Sequence, residues 1–439
     1  MFVYTGIPGS IYLRFELSNI IGGFVKMGQE KTGVGIIGTG RRGYDLGMCI
    51  IDLSDRTKLE IRALNNRTRV RMEEARDAFL SKYAEKGGSP EINLYENYED
   101  LVRDPAVKLI IVVSPQNVHR EHAVAALRTG KKVLLDKPMA HRLDEAVVIR
   151  KEEVGSDNPL FIGFTRRYET TWLKTFDLVK DGAIGDLKMI LVKDVLPYHI
   201  YFHDWHRRME WSGGVIADKI SHLFDACNWF AQSDAERLSA FGGRAVFQPE
   251  KDPPSRCIGC DRDCPYRVVT VHDDSRPDMM TDFSSSRERE TQLEKIHDNC
   301  VWLPGADIND HGVINVAYEN GVKASIFWSV FGPDSDDQEV FELVGDRGKI
   351  VLTRQIGEIL VISDYGKKQE KISTKTGTFD KSHFGADHQL ILELDGFLKG
   401  APPVISGREG LAASRLVEAA HRSINTGGEL IHMREVDDV

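Results

Sequence analysis

The sequence predicts an α/β protein in two parts: a parallel sheet wrapped by helices, then an α+β part with a large, mostly antiparallel open sheet. Three observations carry this reading. Strand-like and helix-like runs alternate strictly between residues 33 and 155. A glycine run, Gly38-Thr39-Gly40-Arg41-Arg42-Gly43, sits between the first strand and the first helix. Beyond about residue 310, hairpin signals replace the alternation.

Val34 to Ile37 is the first apolar run, and the helical pattern after the glycines continues to about Leu53. Lys58 to Leu64 is the next strand, and Val70 to Ala84 a charged amphipathic helix. Leu109 to Val113 is wholly apolar, as a strand covered on both faces requires. Val118 to Arg128, closed by Gly130, is a helix; Val133 to Leu135 a strand; Leu143 to Val154 a further helix. Strand and helix in strict turn require a parallel sheet with right-handed crossovers. The glycine run then defines an N-terminal Rossmann dinucleotide-binding domain. Gly38 permits a tight turn, Gly40 lets a pyrophosphate approach the backbone, and Gly43 allows close helix–strand packing. The helix N-terminus supplies unpaired N–H groups to the phosphates.

In the C-terminal α+β domain, Asn320-Gly321 between two strand-like runs is a hairpin signal. Val340 to Val344 and Lys349 to Leu352 flank a second turn at Gly345-Asp346-Arg347-Gly348. Long helical patterns follow at His388 to Leu398 and Arg408 to Ile424. The expected organisation is an N-terminal extension (1–32), the dinucleotide domain (33–155), and a substrate and oligomerisation domain (156–439) with a cysteine-rich insert at about 248–305. Residues 1–26 lack the charged start and cleavage site of a secretory signal. They read as native sequence or as an extension upstream of a start at Met27.

The 57 Lys and Arg against 67 Asp and Glu leave a net charge of −10, with no dense basic stripe. That balance disfavours nucleic acid and anionic membranes as partners. No apolar run approaches the roughly 20 residues of a membrane span. Of six cysteines, four fall between Cys257 and Cys300. The spacing Cys257-x2-Cys260-x3-Cys264, with Cys300 (or His297) as fourth ligand, points to a structural Zn²⁺ in a reducing, cytoplasmic compartment. Disulfides and unbound thiols are the alternatives. Cys49 and Cys227 read as helix core residues.

About 20 residues beyond the glycines, where an acid would hold the ribose of NAD, the chain has Asn66-Arg67. Asn66 can still bond a ribose hydroxyl, and Arg67, with Arg41 or Arg42, can meet a 2′-phosphate. The cofactor is therefore expected to be NAD(P), with NADP slightly favoured.

The motifs Ser114-Pro115-Gln116-Asn117-Val118-His119 and Gly130 through Asp136-Lys137-Pro138 resemble the Gfo/Idh/MocA family of glucose–fructose oxidoreductase and inositol dehydrogenase. So do Arg166-Arg167-Tyr168, Gly182-Ala183-Ile184-Gly185 and the stretch from Ser212 to Asp225. Ser114 and Asp136 replace that family's usual Thr and Glu, and Lys219 after Asp218 is unusual. The resemblance spans nearly everything from residue 33 onward. It implies that Ser114, Pro115, Asn117, His119 and Lys137 meet the cofactor, and that Pro138 is cis-linked. It also implies that Lys137, Asp218 and His222 are catalytic, with His222 accepting a hydroxyl proton while hydride passes to nicotinamide.

These residues suit that chemistry. Lys137 follows a buried strand, where an ammonium can reach both substrate hydroxyl and nicotinamide edge. Asp218 and His222 are four apart and share one face of a helix. The aromatic and polar run from Tyr198 to Trp211 suits a sugar, with His206, Arg207, Arg167 and Tyr168 as candidate contacts. His383 to Asp387 reads as a loop returning to the pocket or as a helix cap. The expected activity is hydride transfer between nicotinamide and a secondary alcohol of a sugar, sugar derivative or cyclitol. A non-catalytic dinucleotide sensor and an NAD-assisted glycoside-cleaving enzyme are the alternatives. The resemblance also implies a homo-oligomer, dimer or tetramer.

Overall fold

The computed structural model describes residues 31–156, 158–257, 259–267, 298–375, 377 and 382–436. Expectations for the first 30 residues, the Met27 start among them, and for His297 lie outside these.

Six parallel strands form the first sheet: β1 (Thr32–Ile37), β2 (Leu59–Asn65), β3 (Asn93–Tyr95), β4 (Leu109–Val112), β5 (Lys132–Leu135) and β6 (Leu160–Ile162). Their order is β3-β2-β1-β4-β5-β6, with every neighbouring pair parallel. All four residues of β4 are buried, as a strand with helices on both sides must be. The order reverses between β1 and β4, so the crevice for a ligand opens at their C-terminal ends. There the chain passes from β1 through the glycine run into α1 (Arg41–Asp52).

The glycines are needed where the turn is tightest. Gly38 has φ +105°, a left-handed conformation, and a Cβ on Gly43 would stand 2.0 Å from the Gly38 carbonyl oxygen. At Gly40 a Cβ would meet nothing within 4 Å, which leaves open space in front of the helix.

The second sheet has nine strands: β7 (Leu187–Val195), β8 (Ala235–Gly243), β9 (His311–Tyr318), β10 (Lys323–Ser329), β11 (Glu339–Gly345), β12 (Lys349–Thr353), β13 (Glu358–Ser363), β14 (Lys368–Ser373) and β15 (Ile431–His432). The order is β14-β13-β12-β11-β7-β10-β9-β8-β15, antiparallel except where β7 lies parallel to β10. The expected hairpin is present, with Gly321 at φ +92° between β9 and β10. Strand alternation separates the two faces. Ile190, Val192 and Asp194 of β7 are buried, while Met189 and Leu191 are exposed together with Phe327 and Phe241. Helices α2 (Ser221–Ala231), α3 (Ala386–Leu398) and α4 (Gly407–Asn425) complete the part of the fold that frames the crevice. Among the described residues no helix is long and apolar enough to cross a membrane.

Gly43→Ala is expected to lower unfolding free energy by about 1–3 kcal/mol, the usual cost of forcing a methyl group into a filled space. Urea denaturation checks this; an unchanged midpoint would contradict the close packing at this turn.

Candidate active site

The C-terminal ends of β1, β4 and β5 deliver three segments to one crevice: the glycine turn, residues 114–119, and Asp136-Lys137-Pro138. The Lys137–Pro138 peptide is cis. His119 staples this end together, with Nδ1 2.9 Å from the Pro138 carbonyl and Nε2 2.8 Å from the Ser114 carbonyl. Ser114 Oγ lies 2.8 Å from His122 Nδ1, and Asn117 and Pro115 are exposed at the crevice rim.

Lys137 crosses from this sheet to the other half of the molecule. Its Nζ donates to the Asp218 carbonyl at 2.8 Å and to Asp218 Oδ1 at 3.0 Å. Asp218 also accepts from Gln116 Nε2 at 2.6 Å and from the Tyr201 hydroxyl. Burial works against its charge. The Lys137 ammonium, His206 and the Tyr201 hydrogen bond outweigh that and hold the carboxyl far below the usual carboxylate range.

Residues 216–220 form a π-helical turn that runs directly into α2. The wide turn departs from the uniform α-helix expected around Asp218 and His222. It keeps Asp218, Lys219 and His222 all buried, a local irregularity often found at functional sites. His222 is 6% exposed, and among the described residues its Nδ1 has no hydrogen-bond partner. Burial, then the nearby charges of Arg166, Lys137 and Lys219, hold its pKa well below the ordinary histidine value. The imidazole is therefore neutral, the form a proton acceptor requires.

A buried ionic cluster backs this pair. Arg166 forks onto Glu339 through two 2.8 Å bonds, and Arg354 forks onto Glu169 at 2.7 and 2.8 Å. Lys219 Nζ lies 3.4 Å from Glu339. Asp194, opposite Glu339 in the sheet, is pushed up to about 6 by burial, which the neighbouring Lys219 only partly offsets.

The cofactor side fits a dinucleotide. No side chain caps α1, whose N-cap is Gly40, and its first turn carries no acid, so its leading N–H groups suit phosphate. Asn66 donates to Thr39 Oγ1 at 2.8 Å and accepts from the Thr68 amide, and Arg67 is exposed. Arg41 pairs weakly with Asp45 at 3.7 Å. Arg42 is engaged elsewhere: Nη1 reaches Asp387 Oδ1 at 2.6 Å and Nε reaches Asp136 at 3.3 Å.

The candidate substrate residues divide. His206 stacks on Trp205 with centroids 3.8 Å apart and holds Asp204 Oδ1 at 2.7 Å through Nδ1. Arg167 instead forks onto Asp225 at 2.7 and 3.0 Å, and Arg207 donates to the Leu303 and Pro304 carbonyls. Tyr168 is buried against Phe161. Sequence reasoning overlooked Gln116 and Tyr201 as holders of Asp218, although both lie inside segments it had marked. Glu339 and Arg354 carried no local signal.

Cys257, Cys260, Cys264 and Cys300 line one small cavity with His203. The same cavity is lined by Arg256, Arg262 and Arg267, and Cys257 Sγ rests 3.8 Å from His203 Nδ1. None of the four is in a disulfide, and among the described residues no three His, Cys, Asp or Glu side chains are gathered to hold a metal. The expectation of a structural Zn²⁺ finds no support in this geometry.

The fold is of the Rossmann type, followed by a large open sheet. Residues 32–164 match the oxidoreductase family with the NAD-binding Rossmann fold, and residues 172–351 match the GFO/IDH/MocA C-terminal domain. The chain belongs to the Gfo/Idh/MocA family. It is 27% identical over 154 residues to a myo-inositol 2-dehydrogenase of Thermotoga maritima, covering 35% of this chain and 44% of that protein. It is 25% identical over 196 residues to a scyllo-inositol 2-dehydrogenase (NADP(+)) of Bacillus subtilis, covering 44% and 49%. The chain thus spans about half the length of these curated relatives. Among solved structures, a levoglucosan dehydrogenase in complex with NADH and levoglucosan has a TM-score of 0.69 at 14% identity, over 92% of this chain and 99% of that one. That likeness shows the shared fold.

The depressed His222 pKa has a readable sign. The unfolded chain takes up the proton below about 6.5. His222 therefore costs stability as pH falls below that value and costs nothing above it. The His222 ring signals in NMR are expected to stay flat from pH 8 to about 6; a titration centred near the ordinary histidine value of about 6.5 would contradict its burial as a neutral base.

Proposed function

We propose that the protein is an NAD(P)-dependent oxidoreductase acting on a secondary alcohol of a sugar, sugar derivative or cyclitol. One observation carries this reading: Lys137 meets Asp218 at 3.0 Å at the mouth of the dinucleotide crevice, with His222 buried and neutral in their field.

Bound nicotinamide supplies the hydride acceptor. The chain's own residues do the rest. Lys137 donates to the substrate oxygen and stabilises charge on it as the carbon–hydrogen bond breaks. Asp218, kept ionised by Lys137, Gln116 and Tyr201, fixes the ammonium and orients the substrate. His222 takes the hydroxyl proton. His206, on the flat face of Trp205, is the sugar contact this reading retains. Arg167, Tyr168 and Arg207 shape the wall behind it, since their polar groups or rings are engaged or buried within the protein.

NADP keeps its slight preference, supported by uncharged Asn66 and exposed Arg67 at the ribose position. Arg42 contributes little to that preference because two carboxylates hold it. The exposed Met189, Leu191, Phe241 and Phe327 on the open sheet face support a homodimer or tetramer through that face. Six cysteines outside any disulfide fit a reducing, cytoplasmic compartment.

A panel of neutral polyols, cyclitols and uronates, followed by nicotinamide absorbance with NAD and NADP in parallel, tests the reading. A polyol-dependent rise in reduced nucleotide is expected. Lys137→Ala should cut turnover by about 10²–10⁴-fold, the range for a positioned proton-handling group, while dinucleotide binding survives. Retained turnover in that variant would refute the assigned chemistry.

A further inference from the structure

The first turn of a helix favours acids, because its unpaired N–H groups carry partial positive charge. Arg42 goes against that preference. It lies in the first turn of α1, beside the phosphate position, and its side chain is only 19% exposed. A buried guanidinium there is costly, and a buried ion pair is weak evidence for stability. Two carboxylates nonetheless hold it: Nη1 donates to Asp387 Oδ1 at 2.6 Å, and Nε to Asp136 Oδ1 at 3.3 Å. Burial opposes the charge, and Asp136 and Asp387 outweigh that opposition.

Both partners sit on rigid elements. Asp387 is fully buried in the first turn of α3. That helix is tied along the Rossmann domain, with His388 Nδ1 3.6 Å from Cys49 Sγ and the Lys58 amide donating to Asp395 Oδ1 at 3.4 Å. Asp136 directly follows β5, and its amide donates to the Val112 carbonyl at 2.9 Å. A Cβ on Gly163 would stand 2.6 Å from Asp136 Oδ1, so the carboxylate has little room to swing. The next residue is Lys137, whose Nζ reaches Asp218 Oδ1 at 3.0 Å. One short stretch of chain is therefore gripped twice, by the glycine turn through Asp136 and by the π-turn through Lys137.

We propose that Arg42 is a positioning residue: through Asp136, and braced by Asp387, it fixes where the Lys137 ammonium stands relative to the phosphate turn. The same guanidinium then links the place where the dinucleotide is held to the amine that meets the substrate oxygen. A hydride step needs that separation to stay constant, since reacting groups must be held in a near-attack geometry. The use made of Lys137 rests on the oxidoreductase reading above; its placement by Arg42 does not.

The test labels full-length wild type, Arg42→Gln and Asp387→Asn with trace acetic anhydride before nucleotide is added. Mass spectrometry then reads acetylation of Lys137 and, as control, of Lys219, a buried lysine paired with Glu339. Lys137 should label about tenfold faster in Arg42→Gln, the scale of one lost charge-assisted hydrogen bond, while Lys219 stays protected. The isosteric Asp387→Asn should move the same way, and it carries the test alone if Arg42→Gln is insoluble. With nucleotide and polyol, kcat should fall by up to about 10²-fold, the scale of a misplacement of about 1 Å. The nucleotide Kd of Asp387→Asn, from isothermal titration, should match wild type. Lys137 labelling as slow as in wild type overturns the proposal. Lys137 and Lys219 rising together also overturns it, because the bridge would then only support the fold. So does faster Lys137 labelling with undiminished kcat. If the wild type reduces neither nucleotide with any polyol, the oxidoreductase reading falls, and the labelling still decides whether Arg42 places Lys137.

Discussion

The ion pair between Lys137 and Asp218 joins the end of a strand in the parallel sheet to the π-turn that leads into α2, against the larger sheet. Neither group could sit there alone. An ammonium and a carboxylate removed from water cost several kcal/mol each unless paired and fully hydrogen-bonded, and losing one partner of a buried pair costs about 3–5 kcal/mol. Gln116 and Tyr201 supply the further hydrogen bonds that make the arrangement tolerable. The same contacts fix the relative position of the cofactor crevice and the helix carrying His222. Stability and the proposed chemistry therefore meet at one contact.

Charge balance around that contact has a functional consequence. Arg42, Arg166, Arg167, Lys219 and Arg354 each face at least one carboxylate within 3.4 Å. Arg167 and Arg207, candidate sugar contacts in the sequence, are likewise engaged inside the protein. Fixed pairs of this kind give a pre-organised field, in which little needs to reorient when charge develops on a substrate oxygen. Burial keeps His222 below the ordinary histidine value, and the charges of Arg166, Lys137 and Lys219 add to that effect.

Most of the fold was legible because its signals are local. The strand–Gly38–Gly40–Gly43–helix passage, the apolar run at Leu109, and Asn320-Gly321 each require a particular backbone, and each lies where the spacing places it. The short strands β3 and β6 carried too few residues to show a period. The catalytic candidates were legible from their order along the chain. Their holders were not, because Glu339 stands far from Arg166 and Lys219 in sequence, and Asp387 far from Arg42. Pairings of that separation arise only when two sheets are brought together. Arg167 and Arg207 illustrate the converse: an arginine in an aromatic segment looks like a ligand contact until the fold presents it with Asp225 or a loop carbonyl. The clustered cysteines do come together around one cavity, but spacing along the chain does not show whether sulfurs converge tightly enough for a metal.

The account stands on Lys137 and Asp218 acting as one unit, which a double-mutant cycle measures directly. With kcat/KM determined for wild type, Lys137→Ala, Asp218→Asn and the double variant, the double should be scarcely worse than the poorer single variant. Losses that simply multiply would mean the two groups work independently, contradicting the shared site described above.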